Sequence, residues 1–324
     1  MKALVYEGPR QIAAREVDDP VAGPGEALVQ VAAVGLCGSD MHAWAGHDAR
    51  RPAPLILGHE AAGTVRGSGR RVTVNPLVSC GICRDCRAGW TNLCAKRQIL
   101  SMPPRQGCFA EAVAVPEGNL IDVPDHVPLE KAALAEPLAC GWHAVALSQQ
   151  RMRHALAEAE CAVIGGGAIG VGAALSLQAQ GAEKVTVLET NPLRLPVLEA
   201  LEGISAIHPD AYTAAPDLVI DCYGGAATRA WASEHTRPGG LITHIGLASG
   251  EGGLDARRMT LQEIGFLGTY TYTAQAFRET AQALFDGRLG PLDWFDERPL
   301  DAGPEAFLAH AEGRVSAPKT VFRL

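Results

Sequence analysis

The chain has 324 residues, 47% of them hydrophobic and 20% charged, which is ordinary globular composition and enough length for two domains. A net charge of −8 offers no basic field to draw in nucleic acid or an acidic membrane surface, and leaves a small neutral or polar molecule as the expected partner. The nine cysteines, behind an opening MKALVYEGPR with no apolar run of signal-peptide length, lead us to expect a reducing, cytoplasmic setting in which clustered thiols bind metal.

The N-terminal part reads as β-rich. EALVQVAAVG (26–35), RRVTVNP (70–76) and FAEAVAVP (109–116) are Val/Ala-rich runs broken by Gly and Pro. LEKAALAEPLACGWHAVAL (129–147) reads as one helix with a kink at Pro137. From CAVIGGG (161–167) the rhythm alternates. AIGVGAALSLQAQGA is a helix and KVTVLET a strand; PDLVIDCYGG, GGLITHIGL and IGFLGTYTY are further strands. Strands separated by helical stretches predict an α/β doubly wound parallel sheet. The uncharged stretch Cys161–Ala182 has membrane-span length, but its glycines and glutamines fit a strand, turn and helix better. AQAFRETAQALFDG is a helix ending at Gly287, and PKTVFRL is a strand that returns to the first domain.

Four cysteines, Cys80, Cys83, Cys86 and Cys94, are spaced C-x2-C-x2-C-x7-C. Four thiolates fill a tetrahedral zinc sphere and leave no position for substrate, so this site is structural. An iron–sulfur cluster favours a shorter last gap followed by Pro, and a redox C-x-x-C needs only two thiols. Gly165, Gly167 and Gly170 form G-x-G-x-x-G between a predicted strand and helix, and Glu189 follows at the end of the next strand. That context is a dinucleotide cradle: the pyrophosphate sits at a helix N-terminus and a carboxylate meets the ribose hydroxyls, favouring NAD over NADP. Ala168 and Ile169 in the turn and Arg194 beyond Glu189 join the expected cofactor contacts. Upstream, Cys37, His59 and Glu60 offer S, N and O ligands with room for a fourth, though their spacing alone does not separate an open metal site from scattered residues.

CGSDMH, LGHEAAG, the four-cysteine lobe, LAEPLA, VIGGGAIG and the closing APKTVFRL occur in one order over nearly the whole chain. In this the chain resembles the zinc-dependent medium-chain dehydrogenases, the alcohol, polyol and threonine dehydrogenase group. The resemblance implies a β-rich GroES-like catalytic domain at 1–143, completed by 274–324, and a Rossmann NAD-binding domain at 144–273. It implies Cys37 and His59 as catalytic zinc ligands and Glu60 as a carboxylate on or near the metal. Glu136 would complete the sphere directly or through water, and Asp40 would orient His59. Ser39 and His42 would carry the substrate proton to solvent through the cofactor ribose. The implied reaction passes a hydride between a secondary alcohol or polyol and NAD, in a homodimer or homotetramer, with IGFLGTYTY as a candidate pairing edge. The alternatives are a zinc-free quinone or enone reductase of the same superfamily, which would lack the metal residues, and a non-catalytic dinucleotide-binding protein.

Some features depart from that pattern. The turn in GTVRGSGRRVTVNP and the segment from Glu189 to Asp217 are short, and Ala43 and Thr271 stand where polyol enzymes carry an aromatic residue and an arginine. Trp44, Tyr270 and Tyr272 line the pocket or fill the core. Arg50 and Arg51 in HDARRP read as a solvated turn, with capture of an acidic substrate as the alternative. Cys108, Cys140, Cys161 and Cys222 read as small buried residues, Cys140 lying one helical turn from Glu136.

Overall fold

The structure is a computed structural model that describes residues 1–324. Two sheets build its first half. The smaller holds β1 (Lys2–Gly8), β2 (Gln11–Glu16) and β4 (Leu55–Ile56). The larger takes β3 (Glu26–Gly35), β5 (Glu60–Val65), β6 (Arg71–Val74), β9 (Ala112–Pro116) and β10 (Leu120–Asp122), and from the far end of the chain β17 (Phe295–Pro299) and β18 (Lys319–Arg323). Its order is β10-β6-β5-β3-β18-β17, with β9 also on β3; only β17 and β18 pair in parallel. The predicted return of PKTVFRL is thus an inserted strand, flanked by β3 and β17. A short helix, α1 (Gly38–Trp44), follows β3. The hairpin β7 (Leu77–Val78) and β8 (Gln98–Ile99) carries the cysteine lobe and its helical turn α2 (Arg84–Arg87).

The expected kinked helix is two helices, α3 (Leu129–Ala132) and α4 (Ala135–Gln149). The break falls before Pro137, which sits in the first turn of α4, where its missing N–H satisfies nothing anyway.

The second half is a six-stranded parallel sheet in the order β13-β12-β11-β14-β15-β16. It contains β11 (Glu160–Ile164), β12 (Lys184–Leu188), β13 (Ser205–Ile207), β14 (Leu218–Asp221), β15 (Leu241–His244) and β16 (Gly265–Gly268). Its connections carry α5 (Ala168–Ala179), α6 (Leu195–Glu199), α7 (Ala226–His235) and α8 (Ala256–Leu261). The strand order reverses between β11 and β14, and ligands of such sheets bind at the strand ends beside that reversal. The three-residue β13 escapes sequence reading because it is too short to show alternation. Cys161–Ala182 divides into β11, the glycine turn and α5, and no helix is long and apolar enough to cross a membrane.

Helices α4 and α9 (Ala274–Phe285) pack against each other and α4 against α5, so one apolar core runs from the parallel sheet to Val321 of β18. The other core centres on Phe109, Phe307 and Phe322, with Trp44 at 5.8 Å from Phe307. Phe307 comes from α10 (Gly303–Ala311), so the C-terminal return is bound by aromatic packing as well as by strand pairing.

His143 lies buried in α4, and burial lowers its imidazole to about 4. Between about pH 6.5 and 4 the unfolded chain therefore binds a proton that the folded chain refuses, and stability falls as pH falls, by about 3 kcal/mol at most. Denaturant titrations across that range are expected to show a shallower acid loss for His143→Phe than for the parent.

Candidate active site and metal centres

Antiparallel pairing sets Gly35 of β3 opposite Glu60 of β5. The residues just past one strand end and just before the other, Cys37 and His59, are thereby brought together. A Cβ at Gly35 would lie 1.9 Å from Glu60 Oε2, so glycine there makes room for the carboxylate. The ligand atoms of Cys37, His59 and Glu60 all lie within 4.8 Å of one another. This S, N, O set suits Zn²⁺ with one position left open.

Asp40 is fully buried in the first turn of α1. Its Oδ2 accepts from the Cys37 N–H at 3.0 Å and its Oδ1 from the Gly58 N–H at 3.1 Å. The same Oδ1 is 3.6 Å from His59 Nδ1, and Ser101 Oγ is 3.4 Å from that nitrogen. Asp40 is thus both a helix cap and the group that orients His59, leaving Nε2 for a metal. Burial works to raise the Asp40 carboxyl, but the charge and hydrogen bond of His59, the Arg51 charge and the Cys37 N–H together outweigh it, and the net shift is downward. For His59, burial disfavours the cation, while Asp40 and Cys37 more than offset it and raise the imidazole.

Glu60 has a partner that sequence reasoning missed. Lys319, at the start of β18, donates from Nζ to both Glu60 oxygens, at 2.6 and 2.7 Å, and to the Leu36 carbonyl at 2.9 Å. Both side chains are buried. Burial opposes the ammonium, yet Glu60, with Cys37 and Glu136 behind it, outweighs burial and raises Lys319. A lysine opening the Val-Phe strand KTVFR was the available signal. Glu136 stands apart from the three-ligand group: Tyr272 Oη donates to its Oε1 at 2.6 Å. Burial raises the Glu136 carboxyl.

Ser39 is half-buried in α1, and His42 is exposed in its last turn, with no hydrogen bond joining them. The expected solvated turn holds for Arg50, which pairs with Asp48 in the open, but not for Arg51, which is buried beside Ser39. Trp44 belongs to the core. Tyr272 is fully buried on Glu136, and Tyr270 lies under the Arg97 guanidinium at 4.9 Å. Cys108, Cys140 and Cys161 are buried as expected; Cys222 is half-exposed because it lines the cofactor cleft at the end of β14.

The sulfur atoms of Cys80, Cys83, Cys86 and Cys94 also lie within 4.8 Å of one another. Cys80 and Cys86 sulfurs are 4.0 Å apart, close to the ~3.8 Å edge of a tetrahedron with Zn–S bonds of about 2.3 Å. Backbone N–H groups of Ile82 and Cys83 bring the Cys80 thiol down to about 6, whereas burial and its sulfur neighbours push Cys86 up to about 11. The lobe is therefore built to hold negative sulfur and resists holding it all without a cation.

A cleft of about 780 Å³ runs between the halves. Gly165, Gly167, Ala168, Ile169, Gly170, Glu189 and Arg194, all expected at the cofactor, line it, and Cys37 and Lys319 line its other end. Gly165 has φ +97, and a Cβ at Gly170 would lie 1.7 Å from the Gly165 carbonyl oxygen. At Gly167 a Cβ would meet nothing nearer than Arg194 at 4.0 Å, so that face is open to a ligand. Glu189 accepts from the Gly166 and Asn191 N–H groups at 2.8 and 2.7 Å, with Arg194 at 3.7 Å. The cradle fits a dinucleotide: turn backbone at the N-terminus of α5 for phosphates, and a fixed carboxylate at the end of β12 for ribose hydroxyls.

Residues 23–125 match the alcohol dehydrogenase GroES-like domain and 168–286 the zinc-binding dehydrogenase domain. L-galactonate-5-dehydrogenase of Escherichia coli is 30% identical over 310 residues, covering 89% of this chain and 88% of that one. Sorbitol dehydrogenase of Bacillus subtilis is 31% identical over 299 residues, 84% and 82% of the two chains. The solved alcohol dehydrogenase TADH of a Thermus species superposes with a TM-score of 0.87 at 27% identity, over 100% of this chain and 99% of that one.

Lys319→Met leaves Glu60 buried and unpaired, and is expected to cost about 3–5 kcal/mol in chemical denaturation of the protein. Adding Glu60→Gln should recover much of that loss; a double variant as unstable as the single one would show that the two groups are not coupled.

Proposed function

We propose, for a chain that belongs to the zinc-dependent medium-chain dehydrogenases, an NAD-linked oxidoreductase that interconverts a secondary alcohol or polyol and its carbonyl form. One observation carries this reading: the dinucleotide cradle and the Cys37 metal site open onto the same cleft. Cys37, His59 and Glu60 would hold a Zn²⁺ ion, which would supply Lewis acidity toward an alcohol hydroxyl, and the glycine-turn cradle would hold NAD, which would supply the hydride acceptor. Cys80, Cys83, Cys86 and Cys94 would hold a second zinc, which would tie the lobe together.

The chain's own groups do the positioning. Asp40 fixes the His59 ring, and Ser39 takes up the hydroxyl proton. His42, exposed one turn further along α1, releases it to water. Tyr272 holds Glu136, whose buried carboxyl interacts electrostatically with His59 and Glu60. Glu189 favours NAD by repelling a 2′-phosphate. The zinc-free reductase reading has no use for either cluster of ligands. We read 1–143 with 274–324 as the catalytic domain, 144–273 as the cofactor domain, and the cytoplasm as the location. A homodimer or homotetramer is supported by β16, an edge strand with Phe266 41% exposed.

Zinc-loaded protein should form NADH from one class among secondary alcohols, diols, pentitols, hexitols, sugar acids and threonine, with NAD⁺ preferred to NADP⁺. Silence across the panel would support a non-catalytic dinucleotide-binding protein. Glu189→Gln is expected to shrink the preference for NAD⁺ by about tenfold or more, from removal of one charge clash; an unchanged ratio would remove Glu189 from that role.

A further inference from the structure

Arg51 is 3% exposed, and each of its five N–H groups has an oxygen to face. Nε donates to the Ser101 carbonyl at 3.0 Å. Nη1 donates to the Ser39 carbonyl at 3.1 Å and to the Asp48 carboxylate at 2.9 Å. Nη2 faces two hydroxyls, Ser39 Oγ at 3.4 Å and Ser101 Oγ at 3.5 Å. Ser101 Oγ in turn lies 3.4 Å from His59 Nδ1. A buried cation is tolerated only where it is fully paired. Here a single carboxylate and four neutral oxygens take it, and those four oxygens belong to two serines that border the metal site.

We propose that Arg51 is a positioning residue for the proton relay, acting through Ser39. This rests on the reading of Ser39 as the relay hydroxyl. A relay hydroxyl accepts one proton and gives up its own, so it needs one lone pair and its O–H both turned to the cleft. Arg51 Nη2 occupies the remaining lone pair and thereby selects that orientation. Gly38 and Met41, on either side of Ser39 in the chain, line the cleft. Proton count is conserved at Ser39, and Arg51 keeps its charge throughout. The carbonyl contacts from Nε and Nη1 hold the start of α1 against the Ser101 turn, so the guanidinium fork sets this distance as well. Lysine supplies three donors without a planar fork and cannot reproduce the set.

The test uses Arg51→Met and Arg51→Lys, each alone and with Ser39→Ala, in zinc-loaded protein. Both single variants should lose about ten- to a hundredfold in kcat, the scale of a misplaced catalytic group. KM, zinc content and NADH affinity should hold, while the solvent deuterium isotope effect on kcat rises. Arg51→Lys should keep the parent melting temperature and still lose kcat. In the Ser39→Ala background neither change should reduce kcat further. If Arg51→Met does not fold, the Arg51→Lys pair carries the same cycle. A fall in melting temperature with kcat and isotope effect unchanged, or an equal kcat loss with and without Ser39, would overturn the proposal. Parent-like kcat in Ser39→Ala alone would instead remove the relay reading on which it stands.

Discussion

The buried ion pair between Lys319 and Glu60 is the constraint around which the site is arranged. It joins residues 259 positions apart, and it exists only because β18 is inserted beside β3. In a low-dielectric interior neither charge is tolerable alone, so the C-terminal strand and the metal-site strand specify each other's place. Gly35 removes the Cβ that would otherwise occupy the carboxylate's position, and the Leu36 carbonyl takes a further ammonium donor. The pair also faces the cofactor cleft through Lys319.

The two sulfur-bearing centres divide along the same physical line. The cysteine lobe brings four thiols together on a short loop, where backbone N–H groups already favour thiolate at Cys80. Nothing in it is open. The Cys37 group mixes sulfur, nitrogen and oxygen, and borrows its order from outside: Asp40 and Ser101 on His59, Lys319 on Glu60, Tyr272 on the neighbouring Glu136. A site supported by neighbours rather than closed by ligands can keep a position free for substrate.

Much of this was legible along the chain. The cysteine spacing, the glycine turn and Glu189 are local patterns, and local patterns survive being read in one dimension. The strands of the parallel sheet were also visible, except for β13, which is too short to alternate; β17, an FDERP run with no apolar alternation, was not. Pro137 misled because proline can open a helix as readily as bend one, and only the paired breaks around Ala133 and Leu134 decide between these. Arg51 misled in the same way: HDARRP has the composition of a solvated turn, and the cavity that buries its second arginine is supplied by Ser39 and Ser101 from elsewhere.

The sequence by itself determined the family, the ligand types and the cofactor cradle, because those depend on residue chemistry at short spacing. The tertiary structure alone decided which charges neutralise each other. Lys319 against Glu60, Arg51 against Ser39 and Ser101, and Tyr272 against Glu136 are all contacts between distant segments. Their partners are selected by strand order and burial, and a buried charge or hydroxyl takes its role from what the fold places next to it.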